Sequence, residues 1–95
     1  MARVRAGKNI AFMMNFVCDF IDERMDRLSF ELDFEHYLNE KYDGMHRENK
    51  EAAEVFAERI GDIVDASENM TDDEFRDALC DPYDLVLDIL KGIAY

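Results

Sequence analysis

The chain has no tryptophan, one proline, four scattered glycines and two cysteines. Such scarcity excludes a Pro/Gly/Ser linker that would divide the chain and a glycine-rich loop of the kind that cradles phosphate. Cys18 and Cys80 lie far apart, each among apolar neighbours. They fit buried free thiols in a reducing cytoplasm better than a disulfide framework or a metal cluster. Long hydrophobic runs are also lacking, so nothing spans a bilayer before meeting charge. Arg3, Arg5 and Lys8 ahead of the apolar residues 10–18 have the outline of a signal peptide. The run contains Asn15, lacks a small-residue cleavage site and continues amphipathically past Asp19, which argues against secretion.

Apolar mass is plentiful. Hydrophobic residues make up 48% of the 95, with seven Phe, four Tyr and six Met, more than a disordered acidic tail would carry. One globular domain over residues 1–95 is expected, with residues 1–7 a flexible basic arm. Twenty-three acids against eleven bases give a net charge of −12. That charge repels nucleic acid and anionic lipid, so any charged partner should be a basic protein surface rather than nucleic acid or membrane.

Periodicity predicts an all-α protein, a compact bundle of four to five helices around a central hydrophobic N-terminal helix. That central helix is expected over residues 10–28, where Ile10, Met13, Met14, Val17, Ile21, Met25 and Leu28 recur at helical spacing. Residues 28–34 alternate apolar and polar as a strand would, but no second strand candidate exists to pair with them, which favours a connector or helix start. A short second helix is expected from an Asp33 N-cap to Gly44 as its left-handed terminator. A third should run over residues 47–66, burying Ala52, Val55, Phe56, Ile60, Ile63 and Val64. Thr71-Asp72-Asp73-Glu74 reads as a capping box, with Met70 and Phe75 placed as a hydrophobic staple. The helix so begun should stop near Cys80, because Asp81-Pro82 looks like the cap and first residue of a fifth helix that ends around Lys91 and Gly92.

Catalytic chemistry is poorly supplied. Ser29, Ser67 and Thr71 are the only hydroxyls besides tyrosine, and each is explained as a cap or turn residue. Cys80 sits beside Asp81, which raises a thiol pKa rather than activating it. Asp33-x-x-His36 and Asp43-x-x-His46 have a spacing that can share a metal, but a di-iron bundle needs further inward-facing glutamates that are not there, and no EF-hand loop is present. These features predict no catalytic residue, no metal site and no cofactor.

The distinctive feature is the placement of acids. On the third helix Glu51, Glu54, Glu58, Asp62 and Asp65 fall opposite the buried stripe, and Asp73, Asp77, Asp81, Asp84 and Asp88 form a second series along the C-terminal segment. Residues 61–90 hold ten acids and one base, Arg76. Like charges at i,i+3 or i,i+4 cost about 0.2 to 0.5 kcal/mol per pair, so self-stability does not account for the rows. Carboxylates four apart on a helix rise by about 6 Å, comparable with the phosphate repeat of a nucleic-acid strand. The expected function is therefore a non-enzymatic interaction module, an inhibitor or nucleic-acid mimic of the anti-restriction, anti-CRISPR or nuclease-immunity type. The partner-binding residues would be Glu51, Glu54, Glu58, Asp62, Asp65, Asp73, Asp77, Asp84 and Asp88. Thr71-Asp72-Asp73-Glu74-Phe75 resembles the capped helix starts of the small acidic colicin immunity proteins. The Tyr-Tyr-Pro motif of that family is replaced here by Asp81-Pro82-Tyr83, so membership is not assigned. The alternative is a self-associating helical protein, a homodimer covering apolar surface on residues 10–34.

Overall fold

Phe30 is fully buried where three helices meet, its ring 4.5 Å from that of Phe20 in a stacked pair and 5.7 Å from that of Phe75. The computed structural model describes residues 7–92, and within them the chain forms four helices and no strand. Helix α1 is Lys8–Ile21 and α2 is Arg27–Glu48. Helix α3 covers residues 50–66 as Lys50–Val55, a π-helical turn Phe56–Ile60 and Gly61–Ala66, and a 3₁₀ turn, Ser67–Asn69, follows it. Helix α4 is Asp72–Lys91. The basic arm expected at residues 1–7 lies, except for Gly7, outside the described residues.

The expected bundle around the N-terminal helix is present. Ile10, Met13, Val17 and Phe20 of α1 are completely buried, and Phe56 of α3 reaches the aromatic cluster through Phe34, 6.0 Å away. Burying one such phenylalanine contributes about 1.5 to 3 kcal/mol. Three or four of them outweigh the summed repulsion of about 1 to 2 kcal/mol within an acidic row. Compact folding thus survives the charge.

Several expected helix boundaries are corrected. The central helix does not reach Leu28 but ends at Ile21, with Glu23 in the left-handed region at φ 63°. Asp22, Glu23 and Asp26 oppose the dipole at a helix C-terminus, and Asp26 instead caps α2, accepting from the Ser29 N–H at 3.1 Å. Residues 28–34 are the first turns of α2. Their strand-like alternation is two i,i+4 pairs on different faces, Phe30 and Phe34 turned into the core and Leu28 and Leu32 turned out.

Asp33 is an exposed mid-helix residue and Gly44 is not a terminator, because α2 runs through both. A Cβ on Gly44 would come within 2.2 Å of the Asn9 amide nitrogen, so glycine here admits a side chain of α1. The third helix starts at Lys50 rather than near Arg47. Asn49 is extended (φ −161°, ψ 104°), and its side chain accepts from the Ala52 N–H at 3.0 Å.

The fourth and fifth expected helices are one. Pro82 lies inside α4, buried on the stripe that Phe75, Leu79, Val86 and Leu90 continue. An unbroken helix keeps all five on the core face, and that burial overrides the local cost of the missing N–H. The capping box forms as expected: Thr71 Oγ1 accepts from the Glu74 N–H at 3.2 Å and Glu74 Oε1 from the Thr71 N–H at 2.8 Å. Gly92 ends α4 at φ 79°, the left-handed terminator expected there.

Candidate functional site: the acidic faces of α3 and α4

Helices α3 and α4 are neighbours in the bundle, joined by the short turn at Ser67–Asn69. Their buried stripes fix which residues face out. With Ala52, Phe56 and Ile60 inward, Glu51, Glu58, Asp62 and Asp65 are exposed and Glu54 is half-buried. With Phe75, Leu79, Pro82 and Val86 inward, Asp73, Asp77, Asp81 and Asp84 are exposed and Asp88 is half-buried. The row on α3 crosses the π-helical turn, whose i→i+5 pattern is wider than an α-turn and spreads its acids over a broader arc than 3.6-residue spacing gives.

Most of these carboxylates stand without a cation. Among the described residues, Glu51, Glu58, Asp62, Asp65, Asp77, Asp81 and Asp84 make no salt bridge. Glu54 meets His46 only at 4.0 Å, and Asp73 pairs with Arg76 at 3.1 Å. Arg76, the single base of residues 61–90, lies against the bundle and meets only Asp73 of the α4 row, with Glu23 at 4.0 Å. Its side chain is 19% exposed, its guanidinium lies 5.3 Å over the Phe20 ring, and its Nε is buried without a hydrogen-bond partner. Arg59, exposed within the π-helical turn, interrupts the α3 row, a base that the count of acids on that helix passed over.

Arg24 and Arg27, at the α1–α2 junction, are also occupied by acids. Arg24 pairs with Asp19 at 2.9 Å, and Arg27 with Glu31 and Asp72 at 2.9 Å each. Arg27 further donates to the carbonyls of Met70 (2.7 Å) and Ser67, and lies 5.2 Å over the Phe75 ring. Cations therefore hold the bundle together at the α1–α2 and α2–α4 junctions, while the outer sides of α3 and α4 keep excess negative charge. Sequence spacing placed the acids on those faces but could not show which bases turn inward.

The chemistry elsewhere is sparse. His36 lies 3.4 Å from Glu40 rather than beside Asp33, and among the described residues no three His, Cys, Asp or Glu side chains are arranged to hold a metal. Cys18 and Cys80 are unpaired and half-buried rather than fully buried. Burial pushes the Cys80 thiol pKa up, and Asp77, Asp84, Asp81 and Asp22 add to the effect. Tyr83 is raised to about 12, first by burial and then by its hydrogen bond with Cys18. Both groups are less acidic than usual, the opposite of an activated nucleophile. Tyr42, Asp43, His46 and Arg47 line an open depression of about 530 Å³. No described helix is long and apolar enough to cross a membrane. The chain matches no protein-family model, and comparison with curated proteins and with solved structures found no match.

Proposed function

We propose that this chain is a non-enzymatic protein-interaction module that presents the carboxylates of α3 and α4 to the basic, nucleic-acid-binding surface of another protein, acting as an inhibitor or nucleic-acid mimic in the cytoplasm. The observation that carries this reading is the set of exposed acids without salt bridges, Glu51, Glu58, Asp62 and Asp65 on α3 and Asp77, Asp81 and Asp84 on α4, beside an Arg76 that packs over Phe20 and pairs only with Asp73 in these rows. Rows of one sign steer a complementary surface and accelerate encounter. An exterior serving only hydration would intersperse lysines, and after Lys50 the only one is Lys91.

The test is capture of partners from a lysate of the source organism, eluted by a salt gradient, beside a variant carrying Glu51→Lys, Glu58→Lys, Asp62→Lys and Asp65→Lys. The expected result is a basic nucleic-acid-binding protein that elutes at moderate salt, is displaced by duplex DNA and is lost by the variant. Capture that the charge reversal leaves intact would overturn the proposal.

A further inference from the structure

Leu28 and Leu32 are the two most exposed large apolar side chains among the described residues, at 64% and 69%. They sit one turn apart on the outward face of α2, so they form a short ridge rather than two isolated contacts. Acids border it. Glu35 follows on the same face, Asp26 caps the helix start below, and Glu31 lies on the flank toward the α3–α4 turn. Arg27 already pairs with Glu31 at 2.9 Å, and its guanidinium is otherwise turned onto Asp72 and the carbonyls of Ser67 and Met70, which leaves Asp26 and Glu35 as the acids open to a newcomer.

We infer that this ridge docks a basic amphipathic helix of a partner protein, whose apolar side chains at i,i+4 spacing cover Leu28 and Leu32 while its Lys or Arg residues meet Asp26 and Glu35. Charge complementarity selects that occupant. A second copy of a chain with net charge −12 would bring acids against acids. A helix laid along a helix face with i,i+4 anchors needs no deeper groove, and lysine stems extend its apolar contact. The inference rests on the reading of this protein as a binder of basic partners, and adds a second contact with a different, apolar component.

The experiment uses a fluorescein-labelled 18-residue peptide of leucine and lysine in helical amphipathic order, and a permuted peptide of the same composition that lacks the period. Binding to the full chain is followed by fluorescence anisotropy. Leu28→Gln with Leu32→Gln should weaken the amphipathic peptide at least tenfold, with circular dichroism unchanged because both positions are exposed and glutamine favours helix. The permuted peptide should bind at least tenfold more weakly than the ordered one. The lysine-substituted α3 variant should retain most of the leucine-dependent difference, which separates this site from the acidic rows. Equal binding of both peptides, or indifference to the leucine substitutions, would overturn the inference in favour of bulk charge attraction. A concentration-dependent dimer in sedimentation that the same substitutions abolish would overturn it in favour of a second copy.

Discussion

The Glu48 carboxylate, in the last turn of α2, closes the first turn of α1 by accepting from the backbone N–H of Ile10 at 2.8 Å. It also accepts from the Asn9 N–H at 3.0 Å and the Asn9 side-chain amide at 2.7 Å. Helix α1 has no side-chain cap from its own N-cap residue, Gly7, so a residue about forty positions away serves instead.

Burial pushes the Glu48 pKa up, but donation from Ile10 and Asn9 and the charge of Lys8 more than offset it, and the net shift is downward from 4.5. A depressed folded-state pKa gives stability that is complete above the unfolded value and is lost as pH falls through the folded one. Glu48→Gln should therefore cost about 1 kcal/mol at pH 7, the scale of a lost helix cap. It should also flatten the fall in stability below pH 4.5. Urea unfolding of both proteins between pH 3 and 7 checks this, and parallel curves would contradict it.

Gly44 and Gly61 should respond in opposite directions to alanine. At Gly61 nothing lies within 4 Å of the added Cβ, so Gly61→Ala should stabilise by about 0.5 to 1 kcal/mol through helix propensity. At Gly44 the methyl group would displace the Asn9 amide from its bond to Glu48, so Gly44→Ala should destabilise by about 1 kcal/mol. In an Asn9→Ala background the Gly44 penalty should vanish. A double-mutant cycle in urea reads the coupling.

The aromatic core, the capping box at Thr71 and Glu74 and the left-handed Gly92 were legible because each depends on spacing or on a cap within four residues. The continuations through Gly44 and Pro82 were not, since tertiary partners decide them, while the Asn49 cap on Ala52 is local and its spacing was passed over. Gly44 has the local signature of a helix end, yet its use is close approach to Asn9, which lies on another helix. Residues 28–34 alternate as a strand would because two i,i+4 pairs offset by two residues imitate a period of two, yet the lack of a pairing strand pointed to the helix start that they form. In the acidic rows the faces could be read from periodicity, while the placement of Arg76 depends on its packing over Phe20, a residue of another helix.

Pro82→Ala should raise stability. The substitution restores an N–H able to bond the Ala78 carbonyl and removes a ring that crowds it, a gain of about 3 kcal/mol in an open helix. Part of that is returned because Pro82 is buried and alanine fills less space. A net gain of about 1 to 2 kcal/mol is expected in thermal unfolding, and a loss would mean that ring packing dominates.

Arg27→Lys should be nearly as damaging as Arg27→Ala. One planar guanidinium serves Glu31, Asp72 and two carbonyls at once, and an ammonium on a flexible stem cannot reach that set. Each substitution should cost about 2 to 3 kcal/mol, chiefly from partly buried acceptors left unpaired. Recovery of full stability by lysine in chemical denaturation would show that charge alone matters.

The two ends of α2 are fastened by opposite kinds of group, a carboxylate at Glu48 and a guanidinium at Arg27, about 30 Å apart along 22 residues. Acid protonates the Glu48 carboxylate itself, whereas at the other end the Arg27 guanidinium keeps its proton and two of its acceptors are the Met70 and Ser67 carbonyls, which do not titrate. Mild acidification should therefore loosen the bundle from one pole. Amide exchange would quicken in the first turn of α1 while the junction of α2 with the α3–α4 turn stays protected, so the protein has a built-in order of opening set by which end keeps bonds that acid cannot remove.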